Sequence, residues 1–256
     1  MNSPNHFYDS AYKGDQYAAS LEVESHFAFD ELKQFCNAHD LFDQRCLEIG
    51  SGRGAFQGIV TDYTGVDLSK TVAANYSKPF FTASAEDLPF DDCEFDALWS
   101  ITVLEHVPNP QTALEEMRRV LRPGGLIFLK PAWNCRSWNC EGIPVRGYRE
   151  LNFRQKITKF ALPVRDSIAF RAACTLPVRL WRTATGGIGE KHELAFRKLN
   201  ADYSTFWMAD SDACSSIDPF SAIQWFQSQG DSVLSHRTWI RGFLSRSEPL
   251  VVRVNK

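Results

Sequence analysis

The chain has 256 residues, of which 44% are hydrophobic and 23% are charged, and these fractions exclude a fibrous or intrinsically disordered protein. The net charge of −3 gives no basis for a general nucleic-acid-binding surface, so we expect no nucleic-acid partner. We expect a cytoplasmic protein, because there is no secretory-signal pattern or membrane-spanning apolar run. The seven cysteines are irregularly spaced, so we expect free thiols and no structural metal.

The chain begins with a predicted helical segment, residues 1–40. Apolar residues recur at helical spacing within it, at Leu21, Phe27, Phe29, Leu32 and Phe35. Such a segment either covers a ligand site or packs on the flank of the following sheet, and the sequence leaves both possibilities open.

Residues 41–130 alternate between short apolar runs and helical stretches. The runs predict strands over residues 45–49, 63–66, 80–83, 95–100 and 126–130. A helix is predicted over 110–121, with Pro110 near its start and Pro123 and Gly124 after its end. Alternating strands and helices indicate a parallel sheet covered on both faces.

A glycine-rich turn, Leu-Glu-Ile-Gly-Ser-Gly-Arg-Gly at 47–54, follows the first predicted strand. Gly50, Gly52 and Gly54 allow the backbone to turn sharply and to approach a ligand closely. Asp67, at the end of the next predicted strand, can accept hydrogen bonds from a ribose diol. Together these residues predict a nucleoside pocket.

Five segments in one order resemble those of class I S-adenosylmethionine-dependent methyltransferases, in particular the type 11-like small-molecule group. They are Glu48 to Gly54, Gly65 to Ser69, Ala85 to Phe90, Phe95 to Val107 and Val120 to Phe128. The resemblance implies a Rossmann-like, mostly parallel α/β sheet of seven strands, with S-adenosyl-L-methionine as cofactor. It weakens between Ser69 and Phe80, where we expect only a short helix.

The resemblance also implies which residues bind the cofactor. They are Glu48, Gly50, Ser51, Gly52, Gly54, Asp67, Leu68, Ala85, Glu86, Asp87, Leu88 and Ser100. Glu48 would hold the amino-acid end, Asp67 the ribose hydroxyls, and Ala85 and Glu86 the adenine. Ser100 would offer its carbonyl to the ammonium group. Asp87 fits equally well as a solvated loop carboxylate.

His106 is the candidate catalytic residue, since a neutral imidazole near the methyl group can act as a general base. A histidine bonded to a loop carbonyl is the structural alternative. Residues 100–103 read Ser-Ile-Thr-Val, not the D/N-P-P-Y/F of amino-directed nucleic-acid methyltransferases. Methylation of oxygen, carbon and other nitrogen atoms remains open.

Residues 131–215 are predicted to be a helical, basic insertion, and residues 216–256 return to the core with a helix and two closing strands, 232–236 and 249–254. Residues 131–210 carry 13 Lys and Arg against 7 Asp and Glu, a local charge of +6. An insertion after a strand's carboxyl end overhangs the ligand crevice of such sheets, which indicates a substrate lid. Its helices are predicted to break at Pro163 and Pro177.

The sequence leaves three roles open for the side chains of this lid. Its apolar residues pack as internal core, or they lie on an anionic membrane, or its arginines bind a phosphate or carboxylate. Trp133 and Trp138 can stack on an acceptor, and Tyr203, Trp207 and the acidic run 210–212 can close the pocket's other side. Trp133 and Trp138 serve equally well as lid core.

The most consistent function is methyl transfer from S-adenosyl-L-methionine to a small-molecule or lipid-linked acceptor, in the cytoplasm or peripherally at the inner face of the membrane. One alternative is a regulatory module that binds the cofactor without transferring its methyl group. Another is an NAD-type oxidoreductase, but such a dinucleotide site does not call for the Ala-Glu-Asp-Leu-Pro-Phe and Leu-Arg-Pro-Gly-Gly segments.

Overall fold

The structure is a computed structural model that describes residues 4–13, 23–185 and 192–256. The amino-terminal part forms helix α1 (Pro4–Ala11), a 3-10 turn (Val23–Ser25) and helix α2 (Phe29–Ala38). Leu21 of the predicted leading helix lies outside the described residues, and Phe27 is exposed before α2 begins. Helix α2 packs on the sheet through Leu32 and Phe35.

A seven-stranded, mostly parallel sheet forms the centre of the fold, as the sequence predicted. Its strands are β1 (Arg45–Ile49), β2 (Asp62–Asp67), β3 (Phe80–Thr82), β4 (Phe95–Ile101), β5 (Leu121–Lys130), β8 (Ser232–Val233) and β9 (Leu250–Arg253), in the order β3-β2-β1-β4-β5-β9-β8. Strand β9 runs antiparallel to both of its neighbours, which confirms the predicted closing hairpin.

The parallel strands are buried because helices cover both faces of the sheet. Helices α3 (Pro110–Val120) and α7 (Pro219–Ser228) pack on one face, where Leu114, Met117 and Phe226 are fully buried. Helix α2 covers the other face. Only a short 3-10 helix (Lys70–Asn75) connects β2 to β3, in agreement with the short helix expected there. The carboxyl ends of β1, β2 and β4 therefore meet at one edge of the sheet.

The described part of the segment after β5 contains three helices and two short strands. They are α4 (Ser137–Cys140), α5 (Phe153–Arg165), α6 (Ile168–Thr185) and strand β6 (Phe196–Lys198), which pairs with β7 (Ser215–Ile217). Helix α8 (Trp239–Phe243) lies between β8 and β9. No helix of the described residues is long and apolar enough to cross a membrane.

The predicted helix breaks at Pro163 and Pro177 are wrong, because both prolines lie inside helices. The interruption between α5 and α6 lies instead at residues 166–167. There the Ser167 hydroxyl accepts a hydrogen bond from the Phe170 amide (3.3 Å) and so caps the start of α6. A proline removes one backbone donor, and each of these helices continues around that loss.

Arg179 anchors α6 to the core. Its guanidinium is buried, donates to both carboxylate oxygens of Asp218, with 2.9 Å between Nε and Oδ2, and also donates to the Phe243 and Ser245 carbonyls. An arginine with this many fixed acceptors holds its helix in one position against α7 and α8.

Candidate functional site

Two adjoining cavities lie at the carboxyl ends of β1, β2 and β4. The first has a volume of about 520 Å³ and the second about 560 Å³. Both are lined by Tyr8, Tyr12, Gly50, Thr102 and His106, which form their common border. A ligand that occupies both cavities therefore passes this border.

The glycine turn forms the floor of the border. The amides of Gly50 and Ser51 donate to the Val66 carbonyl at 2.8 and 2.9 Å, which ties the turn after β1 to β2. Gly50 has a φ of +71°, and a Cβ atom at this position would collide with the Val103 side chain. Only glycine satisfies both the left-handed conformation and this close approach.

Asp67 connects the turn to the wall of the first cavity. Its Oδ2 accepts from the Gly52 amide and its Oδ1 from the Ser69 amide, both at 2.9 Å, and the Tyr12 hydroxyl lies 3.5 Å from Oδ2. Burial raises the pKa of Asp67, while these donors oppose the shift. The carboxylate is thus held in a fixed position on the cavity wall beside Leu68.

Glu48 lines the second cavity and is almost fully buried. Its carboxylate accepts a hydrogen bond from the Tyr63 hydroxyl. Burial raises the pKa of Glu48 to about 8, against an ordinary 4.5, although that hydrogen bond opposes the rise. A cationic group in the second cavity would favour the ionised carboxylate.

The Ser-Ala-Glu loop after β3 forms the far wall of the first cavity. Ala85 and Glu86 line it, and a carboxylate oxygen of Glu86 accepts from the Asn109 amide at 2.9 Å. Asp87 is exposed, and Leu88 is buried in the core below the loop. The loop thus presents a small apolar side chain and a fixed carboxylate to the cavity.

His106 is surrounded by carboxylates. Its Nδ1 lies 3.1 Å from Oδ2 of Asp212, and its Nε2 lies 3.9 Å from Oε1 of Glu105. Burial alone would lower the pKa of the imidazole, but Asp212, Glu105 and Asp210 outweigh burial and raise it to about 9. At neutral pH the ring therefore carries a proton, whereas a general base requires the neutral form.

One arrangement of ligand-type atoms occurs in this cluster. Glu105, His106 and Asp210 each offer an atom, and these atoms lie within 4.8 Å of one another. The sequence analysis expected no metal. The protonated imidazole already supplies a positive charge among the carboxylates, so the arrangement is electrostatically consistent with a histidine–carboxylate network.

Helix α1 belongs to the leading segment for which covering the ligand site was one of two open roles, but its residues at the cavities were not predicted from the sequence. The Tyr8 hydroxyl donates to Oδ2 of Asp212 at 2.7 Å, and the Ser69 hydroxyl donates to Asp9 at 2.6 Å. Helix α1 therefore bridges the insertion and the loop after β2. The sequence signal for these contacts is the pair Tyr8 and Tyr12, four residues apart and so on one face of a helix. Two residues without a longer apolar repeat around them do not identify a helix that faces a site.

The structure brings together about two thirds of the predicted cofactor residues. Those on the cavity walls are Glu48, Gly50, Ser51, Gly52, Asp67, Leu68, Ala85 and Glu86. Gly54, Asp87, Leu88 and Ser100 are not on the walls of either cavity, as far as the described residues define them. Ser100 is buried within β4, between β1 and β5.

The four predicted substrate aromatics also lie off the walls of both cavities. The Arg165 guanidinium lies 4.4 Å from the Trp138 ring centre, and that of Arg146 lies 4.7 Å from the Trp207 ring centre. Trp133 donates to the Glu248 carbonyl, and Tyr203 packs edge-on against Phe7. Phe206, Ala209, Asp210 and Asp212, from the same segment as Tyr203 and Trp207, line the second cavity instead.

Comparisons with known proteins agree on the central part of the chain. Residues 47–129 match the family described as "Methyltransferase domain". A probable phthiotriol/phenolphthiotriol dimycocerosates methyltransferase 2 of Mycobacterium ulcerans is 31% identical over 133 residues, which are 44% of this chain and 52% of the relative. The sterol 4-C-methyltransferase strm-1 of Caenorhabditis elegans is 28% identical over 140 residues, 48% of this chain and 40% of the relative.

A possible histamine N-methyltransferase from Thermotoga maritima is a structural neighbour, with a TM-score of 0.49, 14% identity and coverage of 98% of this chain and 99% of that chain. The chain spans only about half, or less, of the length of the two relatives above. The insertion, residues 131–215, lies outside the matched family region.

Proposed function

We propose that the chain is a class I methyltransferase that transfers the methyl group of S-adenosyl-L-methionine to a small-molecule or lipid-linked acceptor; the family match over residues 47–129 supports this proposal. The observation that carries the proposal is the pair of cavities that meet at Gly50 and His106, at the carboxyl ends of the strands. One cavity suits an adenosine, and the other suits the remaining part of the cofactor together with an acceptor.

The adenosine of the cofactor would occupy the first cavity. Asp67 would accept from the ribose hydroxyls, because its carboxylate is already fixed by two backbone amides on the cavity wall. Ala85 and Glu86 would contact the adenine. The Tyr12 hydroxyl near Asp67 would make way for the ribose or bind beside it.

The amino-acid end of the cofactor would extend into the second cavity, beside Glu48 and Gly52. Burial of Glu48 without a positive partner raises its pKa to about 8. The ammonium group of the cofactor is such a partner, so this carboxyl fits the group chemically. The bound cofactor supplies an electrophilic methyl group and a sulfonium leaving group, which leaves binding, alignment and exclusion of water to the protein.

His106 would lie next to the acceptor. We propose that its protonated ring holds Asp212 in place and orients an acceptor oxygen or nitrogen by a hydrogen bond. If the reaction needs His106 as a base, the rate should rise with pH towards the pKa of about 9.

The exposed apolar face of α5 supports a lipid-linked acceptor presented at a membrane. Phe153, Ile157, Phe160 and Val164 recur at helical spacing, and all are more than half exposed. Residues 153–185 carry seven basic side chains against one acidic side chain. We therefore propose that α5 and α6 lie on an anionic membrane surface, with apolar side chains among the lipids and basic groups at the headgroups.

Calorimetric titration tests the cofactor assignment. We expect binding of S-adenosylmethionine and S-adenosylhomocysteine but not of NAD. Asp67→Ala should weaken binding of the first two by about 1 to 3 kcal/mol, the range for charge-assisted hydrogen bonds. Asp87→Ala removes a carboxylate outside the cavities and should leave affinity unchanged. Binding of NAD alone, or equal effects of the two substitutions, would refute the assignment.

Transfer is tested separately with a tritiated methyl group on the cofactor. Incubation with a cell extract followed by solvent partition should place label in a small-molecule or lipid fraction. Cofactor binding without label in any fraction would favour the regulatory module.

Membrane contact is tested by co-sedimentation with phosphatidylglycerol and phosphatidylcholine vesicles. Phe160→Ser should reduce binding to the anionic vesicles. Phe42→Ser is the matched control, because Phe42 is also exposed but precedes β1 at the opposite edge of the sheet. Equal binding to both vesicle types, or to neither, would contradict the proposed anionic surface.

A further inference from the structure

A third, smaller cavity lies between α6 and the chain that follows α8. It has a volume of about 80 Å³, and its walls include Asn134, Arg136, Arg171, Arg179 and Arg246. It shares no lining residue with the two cavities described above. It is therefore separate from the site of the proposed methyl transfer.

Four arginines on so small a cavity concentrate positive charge. Arg179 is neutralised by Asp218 and has a structural role. Among the described residues, no carboxylate lies within ion-pair distance of Arg136, Arg171 or Arg246, and none lines the cavity. Three guanidinium groups thus remain available to a ligand.

The arrangement costs free energy in the absence of an anion. Arg136 is half-buried, and burial together with the nearby charges of Arg171 and Arg197 lowers its pKa, against the opposing effect of Asp166. Like charges held close together at a partly buried position repel one another, and a bound anion would reverse the sign of that interaction.

Size and donor geometry narrow the class of anion. The cavity holds a few water-sized volumes, at about 30 Å³ for each water, and this suits a phosphate group but not a nucleoside. Each guanidinium offers a planar set of donors that matches phosphate oxygens, and Asn134 and Thr175 add neutral polar groups to the wall. Three cations are better balanced by a doubly charged phosphate ester than by a single carboxylate.

We propose that Arg136, Arg171 and Arg246 form a binding site for the phosphate group of a phosphate ester. The ester is either a soluble molecule or a phospholipid headgroup, since both present the same phosphate oxygens to the arginines. The site is independent of the proposed methyl transfer, because neither its residues nor its cavity are shared with the cofactor cavities.

The experiment has a soluble arm and a membrane arm. Glycerol 3-phosphate is titrated into the protein by calorimetry, and vesicles with or without phosphatidic acid are tested by co-sedimentation. Arg171→Gln and Arg246→Gln should each weaken binding at least tenfold in the arm that shows it. Arg253→Gln removes the same charge from the exposed surface of β9, outside the cavity and outside α5 and α6, and should change binding less than twofold.

Loss in the soluble arm would identify a soluble ester, and loss only in the membrane arm would identify a headgroup. Equal losses in Arg253→Gln and Arg171→Gln would show a general charge effect and overturn the site, as would absence of binding in both arms. Arg171 and Arg246 are exposed, so the variants should fold, and thermal melting checks this. S-adenosylmethionine affinity, measured alongside, should not change, so failure here is distinguishable from failure of the methyltransferase assignment.

Discussion

Replacement of Glu48 by glutamine should change how the stability of the protein depends on pH. The pKa of the Glu48 carboxyl is about 8 in the folded chain and 4.5 ordinarily, chiefly because the group is buried. Between these values the folded protein keeps a proton that the unfolded chain has lost. Stability that is present below pH 4.5 is therefore lost as pH rises through about 8.

The magnitude follows from the size of the shift. Each pH unit in this window costs about 1.4 kcal/mol of unfolding free energy, so the whole window costs on the order of 5 kcal/mol. Glutamine keeps the shape of the side chain and can still accept from the Tyr63 hydroxyl, but it has no proton to lose. The variant should be more stable than the wild type at pH 8, and the difference should vanish near pH 4.5.

Urea unfolding at intervals between pH 5 and pH 8, without cofactor, measures the effect. Other titrating groups contribute equally to both proteins, so the difference between them isolates Glu48. Glu115→Gln, on the exposed surface of α3, is the matched control and should run parallel to the wild type. A wild-type minus Glu48→Gln difference that does not change with pH would refute the buried, protonated carboxyl.

Three further predictions concern single side chains. Asp212→Asn removes the closest carboxylate to His106 and should lower the imidazole pKa from about 9, which a ring-proton NMR titration measures; an unchanged pKa would mean that Glu105 and Asp210 suffice. Arg179→Met leaves Asp218 and two carbonyls without their donor and should destabilise the protein by about 3 to 5 kcal/mol in urea unfolding, whereas a loss below 1 kcal/mol would contradict a structural anchor. Gly50→Ala should destabilise by about 1 to 3 kcal/mol more than Gly124→Ala, because both have positive φ but only Gly50 abuts a side chain, Val103; equal losses would contradict that contact.

The core of the fold was predictable because its signals are local. Five strands were predicted to within a few residues, except that β5 begins at Leu121, five residues earlier than expected. That extension pairs Leu121 with Phe95 across a register shift. It was not predicted because Pro123, Gly124 and Gly125 interrupt the apolar pattern that indicates a strand. The glycine turn and Asp67 were identifiable because the signal is local: three closely spaced glycines follow one strand, and an acidic residue ends the next.

The sequence offered the leading segment and the acidic run 210–212 as parts that close the site, but it did not predict the contacts between them, because these join distant parts of the chain. The Tyr8 hydroxyl and the Asp212 carboxylate are 204 residues apart in sequence. Nothing near Tyr8 indicates this partner, and of the three carboxylates around His106 only that of Glu105 is its neighbour in sequence. The same limitation affects Trp138 and Trp207, whose arginine partners come from neighbouring elements of the insertion.

The expectation that the insertion's apolar residues form internal core fails for α5. This helix has no buried side chain, and Phe153 and Phe160 are about four-fifths exposed. A 13-residue helix gains most of its stability in proteins from packing its apolar face, and α5 has no such packing within the described chain. A second copy of the chain would bring two strongly basic surfaces together, which charge repulsion opposes. An anionic surface meets both requirements, so the insertion helices should unfold at a higher temperature when the protein is bound to anionic vesicles. Thermal melting followed by circular dichroism that is the same with and without vesicles would contradict this account.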